Sequence, residues 1–176
     1  GFAADTVVRA SDGRITVVGG MLGDVKLYRW LADGSVDTAY GSSGVATPSG
    51  FPDALYPRAA DIDSAGRILV FADNYSSGAQ GLVARVTVAG ARDTSFGGGD
   101  GVSDGQAASI TSSSVRDGFV TAGGDIYYVG TSVFASAPTE RSTIWKVTSG
   151  GATSVNASTL TTASPYRALM VGGNVI

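Results

Sequence analysis

Short apolar runs and turn residues alternate along the whole chain. "ITVVGG" at 15–20, "ILVFAD" at 68–73 and "IYYVGT" at 126–131 each follow a Gly-containing turn. Further on in each stretch lie "VKLYRW" at 25–30, "GLVARVTV" at 81–88 and "STIWKV" at 142–147. In "RVTV", Arg85 and Thr87 fall opposite Val86 and Val88, the period of two that marks a strand. The breaks "SDGR" and "DSAG" are tight hairpin turns, in which Gly takes a positive φ without penalty. No segment joins helical periodicity to sufficient length and caps. The fold expected is all-β, and in the middle stretch four strands are predicted: Arg58 to Asp63, Arg67 to Ala72, Leu82 to Val88 and a weak one near Gly101 to Ser103.

The runs recur in register. "SDGRITVVGG" at 11–20 matches "SAGRILVFAD" at 64–73 and, more loosely, "AGGDIYYVGT" at 122–131. "VKLYRWLADG", "GLVARVTVAG" and "STIWKVTSGG" put Arg29, Arg85 and Lys146 in equivalent places, with offsets of 53 to 61 residues between matching elements. The chain therefore reads as one repeat domain segment, 1–176, with repeats near 1–52, 53–110 and 111–164 and the start of a further one at 165–176. Four antiparallel strands per unit of this length fit the blades of a β-propeller. A single blade cannot bury both of its faces, so the expectation is a propeller-like array of four-stranded blades. Three full units fall short of a closed ring, which implies an incomplete propeller, completed by the remainder of a parent protein or by another chain.

Two stretches repeat more closely than the rest: "DGSVDTAYGSSGV" at 33–45 and "AGARDTSFGGGDGV" at 89–102. Asp37 and Asp93 are placed to accept hydrogen bonds from the backbone N–H groups that follow them, forming Asx-type corners. Thr38 and Thr94 are expected to strengthen the turn, Tyr40 and Phe96 to plug an apolar pocket, and Gly41 and Gly97 to release the backbone. The third unit reads "ATSVNAST" at this point and has no such corner. The corners resemble the bacterial delta-60 repeat, whose usual form is "DGSLDTSFG" followed by "GV", and "SDGRITVVGG" is similar to its "DGKILVAG" segment. The resemblance covers Asp12 to Ala46 and Ala65 to Ser103 well and extends weakly to Gly151. It implies a propeller-like β architecture of bacterial secreted, surface or large multidomain proteins, and it implies no defined reaction.

Composition narrows the chemistry. With 12 basic and 15 acidic residues the net charge is -3, and the basic residues are scattered singly, unlike a nucleic-acid footprint. No apolar run approaches the roughly 20 residues that cross a bilayer. "GFAADTVVRA" shows no signal-peptide pattern. Cys and His are both absent, which removes thiolate chemistry and the usual proton carrier of a catalytic triad. Only 15% of residues are charged and 26 are Gly, a balance that leans toward an extracellular or cell-surface location.

Three candidate sites remain. Asp100 and Asp104 in "FGGGDGVSDG" offer oxygen ligands for calcium, but the spacing is not a complete calcium-loop pattern, the matching "YGSSGVATPSG" has no Asp in either place, and a flexible acidic turn is the favoured reading. Asp61 and Asp63 share one side of a strand, as paired carboxylates for glycoside hydrolysis would if they flanked a sugar bond at about 5–10 Å, although a strand-end acidic pair is more often a solvated turn or a protected edge. Tyr75, in the polar loop "DNYSSGAQG", is the exposed aromatic best placed to contact a protein or glycan ligand, whereas Trp30, Tyr127 and Trp145 read as core. The function expected is a noncatalytic structural or interaction module of a bacterial extracytoplasmic or surface protein that needs no cofactor. The alternative is a glycan-binding, lectin-like propeller or part of a secreted glycoside-active enzyme.

Overall fold

A computed structural model describes residues 3–21, 23–76, 78–105, 109–136, 140–157, 170–171 and 174–175. The first sheet is β1 (Ala3–Arg9), β2 (Ile15–Met21), β3 (Asp24–Trp30) and β4 (Val45–Ala46). The second is β5 (Leu55–Ile62), β6 (Ile68–Asn74), β7 (Gln80–Val86) and β8 (Val102–Asp104). The third is β9 (Ile110–Val120), β10 (Ile126–Phe134), β11 (Glu140–Val147) and β12 (Thr153–Ala157). Each is an antiparallel meander in chain order. Of the further repeat expected at 165–176, only a pair of two-residue strands, β13 (Met170–Val171) and β14 (Asn174–Val175), lies within the described residues. Among the described residues no helix is long and apolar enough to cross a membrane.

The all-β class and the four-stranded unit agree with the sequence, but the propeller does not. The three sheets are separate, no strand of one is paired in the ladder of another, and none closes or curls into a blade arrangement. Strand spacing fixes a meander, because hairpin geometry is local. The arrangement of successive meanders depends on contacts between residues far apart in sequence, which the spacing does not encode. Here the sheets pack in succession, with β5 against β1, β2 and β3, and β9 against β5, β6 and β7.

Two cores result, one on each face of the middle sheet. Val18, Val25, Leu27 and Tyr40 of the first sheet meet Ile68, Val70, Ala72, Leu82, Ala84 and Val86 of the second. On the opposite face Leu69, Phe71, Val83 and Phe96 meet Val115, Ile126, Tyr128, Trp145 and Val147 of the third sheet. Double coverage explains the unbroken apolar run in "ILVFAD": all seven residues of β6 are buried, so neither face of that strand needs polar residues. By contrast β3 alternates, with Val25 and Leu27 buried and Lys26 and Tyr28 half-buried.

Candidate functional site

The conspicuous side-chain constellation is found twice, and it lies between sheets. Arg29 projects from β3, and its Nε donates to Asp37 Oδ2 at 2.8 Å while its guanidinium carbon lies 3.9 Å from the centre of the Tyr40 ring. Asp37 Oδ1 accepts the Ala39 N–H at 3.2 Å, the Asx turn expected from the sequence. Arg29 Nη1 then reaches the second sheet and donates to the Val88 carbonyl at 2.9 Å.

Arg85 of β7 does the same one unit later. Its Nε donates to Asp93 Oδ2 at 2.8 Å, its guanidinium carbon sits 4.4 Å from the Phe96 ring centre, and its Nη1 donates to the Ser149 carbonyl of the third sheet at 2.6 Å. Asp93 Oδ1 takes the Ser95 N–H at 3.0 Å and the Ser95 hydroxyl at 2.6 Å. Burial by itself raises the Asp93 carboxyl, but the Ser95 hydrogen bonds and the Arg85 charge outweigh it and hold the group below its ordinary value. Burial likewise pushes the Tyr40 hydroxyl up to about 12, with Arg29 opposing and Asp37 adding to the shift. Each corner thus neutralises a buried carboxylate, covers an aromatic ring and clamps the next sheet. We name it a latch.

The other predicted corner residues divide by role. Thr38 and Thr94 are exposed on the outside of the turn, and the hydroxyl that reaches a corner carboxylate is that of Ser95. Gly41 and Gly97 have φ of 53° and 65°, and a Cβ at either would run into the carbonyl of Val45 or Val102. Gly97→Ala should therefore cost at least about 2 kcal/mol, the sum of a left-handed backbone penalty and a steric shift, read as a lower urea midpoint. In the third unit Lys146 replaces the arginine, and it pairs with Asp125 at 2.6 Å.

The carboxylates considered for catalysis are committed to structure. Asp61 Oδ2 accepts the Val120 N–H of the third sheet at 2.8 Å. Asp63 caps its own hairpin through the Ala65 and Arg67 N–H groups at 3.0 and 2.9 Å, and its other oxygen holds Arg67 Nε at 2.7 Å. The turns at 10–14, 62–66 and 120–122 surround a cleft of about 460 Å³, which Asp12 and Asp63 help to line. Hydrogen bonds from Arg14 lower the Asp12 carboxyl, the reverse of what a general acid needs. Glu140 stands at the start of β11, on the edge of the third sheet's hairpin with β10.

Asp100 Oδ1 accepts the Val102 N–H at 3.0 Å and so shapes its own turn, while Asp104 is exposed at the end of β8. Among the described residues no group of three or more carboxylates is gathered for a metal ion. Tyr75 is exposed but engaged: its ring meets Tyr56 edge-on at 5.3 Å, and its hydroxyl approaches Asp73 Oδ2 at 3.4 Å. The expectation of carbohydrate binding belonged to a lectin-like propeller and is withdrawn with that architecture. Trp30 is half-buried and stacks on Tyr28, and Tyr127 is half-buried and stacks on Phe119, so only Trp145 of the three expected core aromatics is fully enclosed.

One buried charge carries no motif in the sequence. Asp73, 1% exposed, takes Arg58 Nε at 2.9 Å and the Val115 N–H of the third sheet at 2.7 Å. The one available signal was an Asp near the end of a strand that is otherwise mostly apolar. Comparison of the chain with family models and with curated proteins finds no match.

Proposed function

We propose that the chain is a noncatalytic structural and interaction module, a stack of sheets that holds its shape by side-chain latches, within a bacterial extracytoplasmic or surface protein. The observation that carries this reading is the repeated latch: Arg29 to the Val88 carbonyl and Arg85 to the Ser149 carbonyl, each with its own carboxylate and ring. A catalytic constellation serves one reaction and need not recur, whereas a joint recurs at every interface. The low charge and high Gly content support a place outside the cytoplasm, and the corner motifs support kinship with delta-60 repeats.

The test pairs turnover with stability. The chain and its Asp61→Asn/Asp63→Asn variant should show the same background rate on chromogenic glycosides and esters. The variant should have a lower urea midpoint, because it loses the ion pair between Asp63 and Arg67 and weakens the bond to Val120. Turnover by the native chain that disappears in a variant of unchanged stability would contradict the proposal.

A further inference from the structure

The first sheet has an outer face whose counterpart in the second sheet is an interface. In register, Ile15, Val17, Tyr28 and Trp30 occupy the places of Ile68, Val70, Ala84 and Val86. Those four second-sheet residues are at most 3% exposed, because the first sheet covers them. Their first-sheet equivalents are half-buried, and Val7, Leu31 and Val36 beside them are 61%, 38% and 49% exposed.

The turn at the edge of this face repeats the comparison. Gly90 lies against the Tyr40 ring, so that an added Cβ would stand 3.1 Å from it, and Gly151 lies against Phe96, at 3.3 Å by the same measure. The equivalent Gly34 has nothing within 4 Å. Val88 and Ser149, two residues before those seated glycines, supply the carbonyls that the latches grip. Ala32 holds that position before Gly34 and is exposed. The first sheet therefore offers all the receiving parts of a latch: an apolar face, a carbonyl and a bare glycine seat.

We propose that this face docks a further four-stranded sheet bearing its own arginine–aspartate–aromatic corner, whose guanidinium binds the Ala32 carbonyl and whose ring seats on Gly34. The occupant is defined by the two interfaces already present, since in both the receiving turn is met by such a corner. The third sheet of a second copy lacks the corner, and its Lys146 is held by Asp125. The inference rests on the latch reading, but its readout is solvent access at Trp30 rather than turnover, so the two fail separately.

The experiment joins a duplicate of residues 52–105, through a short Gly/Ser linker, ahead of residue 3 of the full chain, and measures acrylamide quenching. Trp30 and Trp145 are the only tryptophans, and Trp145 is fully buried, so a change in quenching reports Trp30. Quenching should fall until Trp30 is as protected as Trp145. It should stay at the native level when the duplicate carries Arg85→Met, or when a duplicate of 109–157 without a corner, its own tryptophan changed by Trp145→Phe, is used. Unchanged quenching with the corner-bearing duplicate would overturn the proposal, as would equal protection in the two control chains. A duplicate that stays unfolded beside three intact sheets would overturn it too, because the proposed face is what should complete the added sheet.

Discussion

Arg85→Met should lower the unfolding free energy by about 3–5 kcal/mol, the range for breaking a buried ion pair at one partner. Arg85 and Asp93 side chains are 3% and 9% exposed, so removing the guanidinium leaves a carboxylate with little water to solvate it and the more distant Arg67, at 3.7 Å, as its counter-charge. The Ser149 carbonyl loses its donor and Phe96 loses its cover in the same change. Met keeps the stem of the side chain, so the loss reports the charge and its bonds rather than a cavity. Arg29→Met should cost less, about 1–3 kcal/mol, because its guanidinium is more exposed and water can partly replace it. Urea unfolding of both variants with unchanged m-value tests the order of the two losses. The pH dependence has a fixed sign: Asp93 is depressed in the fold, so its stabilisation is complete above its ordinary pKa of 3.8 and is lost as the pH falls through the lowered folded value. Arg85→Met should flatten that acid limb.

Trp145→Ala should cost a similar amount, about 3–5 kcal/mol, by emptying the second core. The indole is fully buried, stacks on Tyr128 at 4.8 Å between centres with planes 10° apart, and donates Nε1–H to the Gly105 carbonyl at 3.0 Å. The Tyr128 hydroxyl is buried and has no partner among the described residues, so its ring is held there by packing and loses its neighbour in the variant. Trp145→Phe retains an aromatic surface and drops the hydrogen bond, so its cost should be nearer 1–2 kcal/mol plus a smaller void. Thermal and urea denaturation followed by near-ultraviolet circular dichroism should show the Ala variant losing its aromatic signal first. Equal stability of the Trp and Ala forms would place Trp145 outside the core.

What was legible in the sequence is what local geometry determines. The hairpin turns at 11–14 and 63–67 and the Asx turns at Asp37 and Asp93 close through bonds spanning at most four residues, and turn chemistry announces them. The latches were hidden because Arg29 and Arg85 meet carbonyls 59 and 64 residues away. Their visible trace was an arginine at one fixed register in each of two apolar strands. The Ser-rich start of β9 gives a weak strand signal, yet Ser113 Oγ accepts the Gly81 N–H at 2.8 Å and so makes a polar residue a joint between sheets. The propeller failed for the same reason the latch was missed, since repeat spacing specifies each meander and leaves its neighbours open. Paired carboxylates two residues apart looked catalytic, but Asp61 turns to Val120 and Asp63 to its own turn.

The most direct test of the latch is native-state hydrogen exchange on Arg85→Met, compared residue by residue with the unaltered chain. If the arginine joins the second and third sheets, amides of β6 and β7 and amides of β10 and β11 should lose protection together, by the same free energy as the urea result. Loss confined to residues 93–102, with β10 and β11 as protected as before, would contradict it.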